Sequence, residues 1–265
     1  MANLPLIIAH RGASAVAPEN TLCAFRRALK DGAEGVECDV RLASDRVPVV
    51  FHDPTLKRVT LLETKVADLT SRELMKVDVG TWFNLRHEKH ARHEYKRETV
   101  PTLEQFFDLM RANEKLIYVE LKCEDGNYQS FARAIVELTH DFDYLHRVVV
   151  KSFEHECLYE LRKISQQIRV AALYRPHPSR VLRPGRELVK PALRFDADEI
   201  SLHYTLATAR AVRKAHLAGL KTVIWTADHP AWVKRATKLG IYGIITNNPA
   251  RLLARRDELL VKERF

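Results

Sequence analysis

Eight short apolar runs punctuate this chain, beginning at Leu6, Gly35, Leu116, Arg147, Arg169, Asp198, Lys221 and Tyr242. Between them lie stretches with apolar residues at helical spacing: Thr21–Lys30, Leu103–Arg111, Tyr128–Leu138, Glu154–Ile164, a piece around Glu187, Leu206–Leu217, Ala231–Lys238 and Arg251–Leu260. Strands that alternate with helices fold as a parallel sheet joined by right-handed crossovers. Eight such units in 265 residues predict an α/β fold, a TIM (β/α)8 barrel, which typically takes about 250 residues. The alternative for the same pattern is an open doubly wound sheet. We read residues 1–265 as one domain.

The alternation is interrupted once. A ninth apolar run, Val47–Phe51, follows the second across the turn residues Ala43-Ser-Asp-Arg46. Turn chemistry of this kind predicts a hairpin. Folding the chain about position 45 puts Phe51 opposite Asp39. Residues 54–99 then read as an insertion, charged and irregular, with one short helix signal over Thr70–Val77. The insertion contains His87, His90 and His93 at i, i+3 and i+6. This is not the H-E-x-x-H spacing of zinc peptidases, and it reads as a solvated basic loop.

The second run carries two acids, Glu37 and Asp39, at i and i+2. On a strand these share a face, while Val36, Cys38 and Val40 fill the other. A parallel strand in a barrel is covered on both faces, so the acids would be buried together and would need a cation: Lys, Arg or a metal ion. The strand from Leu116 repeats the device with Glu120 and Lys122. His10-Arg11-Gly12 ends the first run, and His52-Asp53 ends the hairpin. Two histidines, three acids, Arg11 and Lys122 therefore converge on the C-terminal ends of the strands, where TIM barrels keep their chemistry.

These residues carry a resemblance. H-R-G, P-E-N-T, E-x-D-V, V-P-V-V-x-H-D, E-x-K and V-x-W-T, in this order from His10 to Pro249, resemble the glycerophosphodiester phosphodiesterase family. Each piece alone is common, whereas the ordered set is specific. The resemblance implies metal-dependent hydrolysis of glycerophosphodiesters to glycerol 3-phosphate and an alcohol, with Glu37, Asp39 and Glu120 as metal ligands. Oxygen ligands without a thiolate suit Mg2+ or Ca2+ better than zinc. Only His10 and His52 at this edge can both take and supply a proton near neutral pH; we take His10 as base and His52 as acid, and the reverse order is open. Arg11 and Lys122 are expected to hold the phosphate and Trp225 to line the pocket, with Phe153 and His203 beside it.

The chain departs from the family in three places. Val59-Thr-Leu-Leu-Glu-Thr64 stands where members commonly carry a glycine-bearing stretch. Asp228 ends Ile224-Trp-Thr-Ala-Asp where V-W-T-V-N is common. Asn247 ends Tyr242-Gly-Ile-Ile-Thr-Asn where D-G-I-I-T-D is common. We assign the last two to the rim of the pocket, outside the metal and histidine set.

A net charge of +9 suits an anionic substrate, an anionic membrane surface or nucleic acid, but the basic residues are scattered rather than interleaved with aromatics, which argues against a nucleic-acid module. No apolar run reaches the roughly 18–20 residues of a membrane helix, and the N-terminus lacks the basic start of a signal peptide. Cys23, Cys38, Cys123 and Cys157 have no C-x-x-C spacing and read as reduced thiols in a cytoplasmic protein. Two other functions remain: a phosphodiesterase of the lysophospholipase D or sphingomyelinase D kind acting on lipids, and a non-catalytic phosphate-binding barrel.

Overall fold

The computed structural model describes residues 4–123, 126–176 and 186–262. The strands are β1 (Leu6–His10), β2 (Gly35–Leu42), β3 (Pro48–Val50), β4 (Leu116–Leu121), β5 (Val148–Ser152), β6 (Arg169–Tyr174), β7 (Glu199–His203), β8 (Lys221–Trp225) and β9 (Gly243–Thr246). They pair in the order β1-β9-β8-β7-β6-β5-β4-β2-β3, and β1 also pairs with β2. That last pairing closes eight parallel strands into a TIM barrel and removes the open-sheet alternative. The runs expected from Arg147, Asp198 and Tyr242 each begin one residue later. β3 is the hairpin extra, antiparallel to β2. The expected register holds: the Phe51 amide donates to the Asp39 carbonyl oxygen (2.9 Å).

The period of two along each strand separates two cores. Ala9, Val36, Cys38, Val40, Ile117, Val119, Val148 and Val150 point outward and pack under the helices. Ile8, Tyr118, Val149, Ala171, Val223 and Ile245 form a plug inside the barrel. Two residues further along the same inward stripes come His10 on β1, Glu120 on β4, Lys151 on β5 and Trp225 on β8. On β2, Glu37 and Asp39 occupy the inward positions directly. The alternation that fills the floor with apolar groups thus delivers ionisable groups to the mouth.

The helix Leu22–Lys30 starts on Thr21, whose hydroxyl accepts from the Ala24 amide. Leu103–Met110 starts on a capping box between Thr102 and Gln105. The two helices face each other through Phe25 and Phe106, both fully buried, with ring centroids 4.4 Å apart. Burying each ring contributes about 1.5–3 kcal/mol. The piece expected around Glu187 is the helix Arg186–Leu193.

Residues 54–99 are more ordered than the sequence suggested. The expected helix is the shorter Ser71–Leu74, with a capping box between Thr70 and Glu73. Lys57–Thr60 and Thr81–Arg86 are helical as well, with 3-10 turns at Val66–Asp68, Glu88–His90 and His93–Arg97. Helices of four to six residues are too short to show a period in sequence. The segment lies against the hairpin instead of standing off the barrel: Leu56, Val66, Leu74 and Val79 pack with Val49 and Phe51. His87 stacks on Phe83 (centroids 4.5 Å apart), and no metal cluster forms among the three histidines.

One acid sits below the plug. Glu199 faces inward on β7, fully buried, accepting only from the Tyr118 hydroxyl (3.1 Å), with its second oxygen unpartnered. Burial raises its pKa from 4.5 to about 7. The folded state therefore binds this proton more tightly than the unfolded chain does. The resulting stabilisation is complete below the unfolded value and is lost as pH rises through the folded one. Glu199→Gln is expected to raise stability at pH 8 by on the order of 3 kcal/mol and much less at pH 5. Thermal melts at both pH values check this; a gain independent of pH would mean that Glu199 does not titrate in this range.

Candidate active site

Strand register assembles the site. His10 lies beside Glu37 across β1 and β2, Asp39 beside Glu120 across β2 and β4, and Glu120 beside Lys151 across β4 and β5. Glu37 and Asp39 are fully buried and Glu120 is nearly so. Their partners are three cations. Lys151 Nζ lies 2.8 Å from Glu37 Oε1 and 3.4 Å from Glu120 Oε2. Lys122 Nζ lies 3.0 Å from Asp39 Oδ1 and also pairs with Glu120. Arg11 Nε lies 2.8 Å from Asp39 Oδ2.

Burial opposes charge on all of these groups, and the ion pairs overcome it. Lys151 and His10 hold Glu37 below the usual carboxylate range, and Arg11 and Lys122 hold Asp39 well below it. The same carboxylates raise Lys122 and Lys151 against the burial that would lower them. Glu37, Asp39, Lys122 and Lys151 are therefore ionised at neutral pH.

The loop after β1 explains two of the motifs. Arg11 adopts a left-handed conformation (φ 55°), as does Gly12 (φ 81°). A Cβ at Gly12 would lie 2.5 Å from the backbone of Ala24, so only glycine fits there. The turn aims the Arg11 amide at Glu37 Oε2 (3.0 Å) and its guanidinium at Glu19 Oε1 (2.8 Å). The next residue of the P-E-N motif, Asn20, donates from Nδ2 to Asp39 Oδ2 (2.9 Å) and accepts from the Asp39 amide (3.2 Å). Asp39 is thus held from both sides.

His52, at the end of the hairpin, places Nδ1 2.6 Å from Asp53 Oδ1. Asp53 in turn pairs with Arg58, which also donates to both oxygens of Glu19. Burial works against the Asp53 charge, yet the bonds from His52 and Arg58 bring its pKa down to about 2. His10 places Nδ1 2.7 Å from Asn247 Oδ1, and its Nε2 stands 3.9 Å from Glu37 Oε2.

His10, Arg11, His52, Glu120, Lys122 and Trp225 line one cleft of about 680 Å³, together with Lys151, Phe153 and His203. The Trp225 indole donates to the Ser201 carbonyl oxygen (3.2 Å) and packs edge-on against Phe153 and His203. Glu37 and Asp39 lie beneath the cleft, behind the cations that pair with them.

Several residues at the site escaped the sequence reading. Lys151 ends an otherwise apolar strand, and its inward parity was the available signal. Glu19 and Asn20 lay within the P-E-N-T motif without a role. Asn247 and Asp228, assigned above to the rim, instead stand behind His10; that assignment is corrected by the hydrogen bond to its ring. Nothing local could show it, because 237 residues separate His10 from Asn247.

The acids also meet the requirements of a metal site. Oxygens of Glu37, Asp39 and Glu120 lie within 4.8 Å of one another, the sole such group among the described residues. Glu37 Oε1 and Asp39 Oδ1 are buried and contact lysines, but accept no well-aligned hydrogen bond. An all-oxygen set of this kind fits a hard divalent cation. The carboxylates of Glu19, Glu37, Asp39 and Glu120 exceed the cations Arg11, Lys122 and Lys151 by one charge, so the cluster would be neutral with one divalent cation and one phosphodiester anion.

Residues 10–251 match the glycerophosphoryl diester phosphodiesterase family. A glycerophosphodiester phosphodiesterase of Caldanaerobacter subterraneus subsp. tengcongensis is 34% identical over 251 residues, covering 94% of this chain and 96% of that protein. A phosphodiesterase of Oleispira antarctica, solved in complex with the product sn-glycerol-3-phosphate, superposes with a TM-score of 0.82 at 25% identity, covering 96% of this chain and 97% of that one. A glycerophosphodiester phosphodiesterase of Agrobacterium tumefaciens superposes with a TM-score of 0.77 at 25% identity, covering 95% of this chain and 100% of that one.

Proposed function

Since the chain belongs to the glycerophosphoryl diester phosphodiesterase family and hydrolyses glycerophosphodiesters, we propose that it does so by His/His acid–base catalysis beside one divalent cation. The products are glycerol 3-phosphate and the alcohol of the head group. The observation that carries this reading is the meeting of His10, His52 and the acid cluster at one cleft.

Glu37, Asp39 and Glu120 would hold the cation, Mg2+ or Ca2+, which when bound supplies Lewis-acid polarisation of a phosphoryl oxygen. Lys122 and Arg11 attract the phosphodiester to the mouth as fixed positive charges. Trp225 and Phe153 wall the cleft on the side away from the acids. His10 takes a proton through Nε2 from the attacking hydroxyl, either of water, which gives glycerol 3-phosphate directly, or of the glycerol itself, which gives a cyclic phosphodiester that water then opens, with His52 taking the proton of the water and His10 returning one to the departing glycerol oxygen. As the P–O bond to the head group breaks, His52 gives a proton from Nε2 to the departing alkoxide. On the direct route each histidine then returns to its starting state by exchange with water.

The partners of the two rings support this division of labour. Asp53 holds His52 Nδ1 and fixes the ring, so the proton it gives is the one on Nε2. Asn247 is neutral and leaves His10 as an acceptor. The four free cysteines support a reducing, cytoplasmic setting, and no helix among the described residues is long and apolar enough to cross a membrane.

One observation favours lipid substrates instead. Leu61, Leu62 and Leu85 are exposed around a groove that Arg58, Trp82 and Arg86 also line. Assaying glycerophosphocholine and lysophosphatidylcholine side by side separates the readings. Turnover of the soluble diester, with release of glycerol 3-phosphate, is expected. Turnover of the lysolipid alone would move the enzyme to the lipid-acting class, and turnover of neither would leave a binding protein.

A further inference from the structure

We propose that Asn247 and Asp228 are positioning residues that lock His10 with its proton on Nδ1, so that the lone pair of Nε2 always faces the cleft. The inference rests on the reading of His10 as the base and adds the two residues that make it one. It follows from counting donors and acceptors along a single chain of hydrogen bonds.

The chain begins at Asp228, whose carboxylate can only accept. Its Oδ1 takes the Asn247 amide proton (2.7 Å) and the Thr246 hydroxyl (2.8 Å). Its Oδ2 lies 2.8 Å from Asn247 Nδ2. The side-chain amide must therefore turn its NH2 toward Asp228, because the flipped amide would set oxygen against oxygen. Asn247 Oδ1 is then obliged to face the other way. There it lies 2.7 Å from His10 Nδ1 and 2.9 Å from the Ser14 hydroxyl, which can also donate to the His10 carbonyl oxygen (2.8 Å). An amide oxygen cannot donate, so Nδ1 of the neutral ring must carry the hydrogen.

Nε2 is left as the acceptor. It stands 3.9 Å from Glu37 Oε2, beyond hydrogen-bond range, so that carboxylate does not hold a proton on it. The Ala15 amide donates to the Asn247 carbonyl oxygen (3.0 Å), which fixes Asn247 to the loop after β1. The Asp53 carboxylate holds the His52 ring in the same sense, whereas the partner of His10 is a neutral amide whose direction is set one residue further back.

The exchanged pair, with asparagine at position 228 and aspartate at position 247, has the opposite polarity. Either polarity yields an acceptor for His10, provided that both positions agree. This predicts rescue. Asp228→Asn frees the Asn247 amide to turn its NH2 to His10 and is expected to lower kcat by roughly 10–10²-fold with KM within about twofold. Asn247→Leu, which has nearly the same size but no acceptor, is expected to lose as much. The double variant Asp228→Asn/Asn247→Asp restores the order of donors and should recover most of kcat.

The tautomer is read directly from nitrogen-15 spectra of histidine-labelled protein in alkaline buffer, with the His10 signals assigned by their loss in His10→Ala. Wild type and the double variant should show the proton on Nδ1, and Asp228→Asn a share on Nε2. A wild-type His10 carrying its proton on Nε2 would overturn the proposal. So would single variants with unchanged kcat, or a double variant no better than either single one. If His10→Ala itself is nearly as active as wild type, the reading of His10 as base fails; the spectra then still decide the tautomer independently.

Discussion

Replacing His52 by alanine is expected to slow hydrolysis of glycerophosphocholine by roughly 10²–10⁴-fold while leaving a nitrophenyl phosphodiester near the wild-type rate. Choline leaves as a poor alkoxide and needs a proton in the transition state, whereas nitrophenolate is stable without one. In the proposed mechanism His52 supplies that proton. Its Nδ1 is held by Asp53, and Asp53 by Arg58, so the ring is oriented. Replacing His10 removes the acceptor of the attacking hydroxyl and should slow both substrates, since attack is required whatever group leaves. Steady-state rates for the two variants on the two substrates form a four-way comparison. The opposite selectivity would exchange the roles and keep the mechanism. Equal and mild losses throughout would sink acid–base catalysis by these histidines.

Stripping the enzyme of divalent cations is expected to abolish turnover, with Mg2+ or Ca2+ restoring it and Zn2+ failing to do so alone. The reason is the all-oxygen set of Glu37, Asp39 and Glu120. Glu37→Gln should lose both metal and activity, and it carries a second cost. Lys151 is 1% exposed, and Glu37 Oε1 is its nearer partner. Weakening a buried pair from one side leaves charge uncompensated and is expected to lower stability by about 3–5 kcal/mol, less what Glu120 retains. Calorimetric metal titration and denaturant unfolding measure the two losses separately. A metal-free enzyme at full activity would refute the cation's role, and an unchanged midpoint would show that Glu120 alone satisfies Lys151.

How the site is built explains why part of it could be read in advance. Parity along a strand is local information. Glu37 and Asp39 had to share a face, the turn at Ala43–Arg46 had to set Phe51 against Asp39, and H-R-G had to close the first strand. Strand count and chain length then led to a closed barrel with its charged ends gathered at one mouth. The short helices of residues 54–99 were missed because four residues cannot display a helical period, and their apolar groups became a core only against Val49 and Phe51.

The parity that sets Glu37 with Asp39, and Glu120 with Lys122, on shared strand faces was legible in the sequence alone, since it depends only on neighbours two residues away, whereas the roles given to these acids and to both histidines rested on the family resemblance. Which groups neutralise and aim them was decided by tertiary structure. Lys151 pairs with Glu37 only because the barrel leaves just β4 between β5 and β2. Asn20 grips Asp39 only because Gly12 lets the loop fold back over Ala24. Asn247 reaches His10 only because β9 closes on β1, across nearly the whole length of the chain. A hydrogen bond needs its donor and acceptor within a few tenths of an ångström, and in this barrel it is closure that brings such distant residues that near.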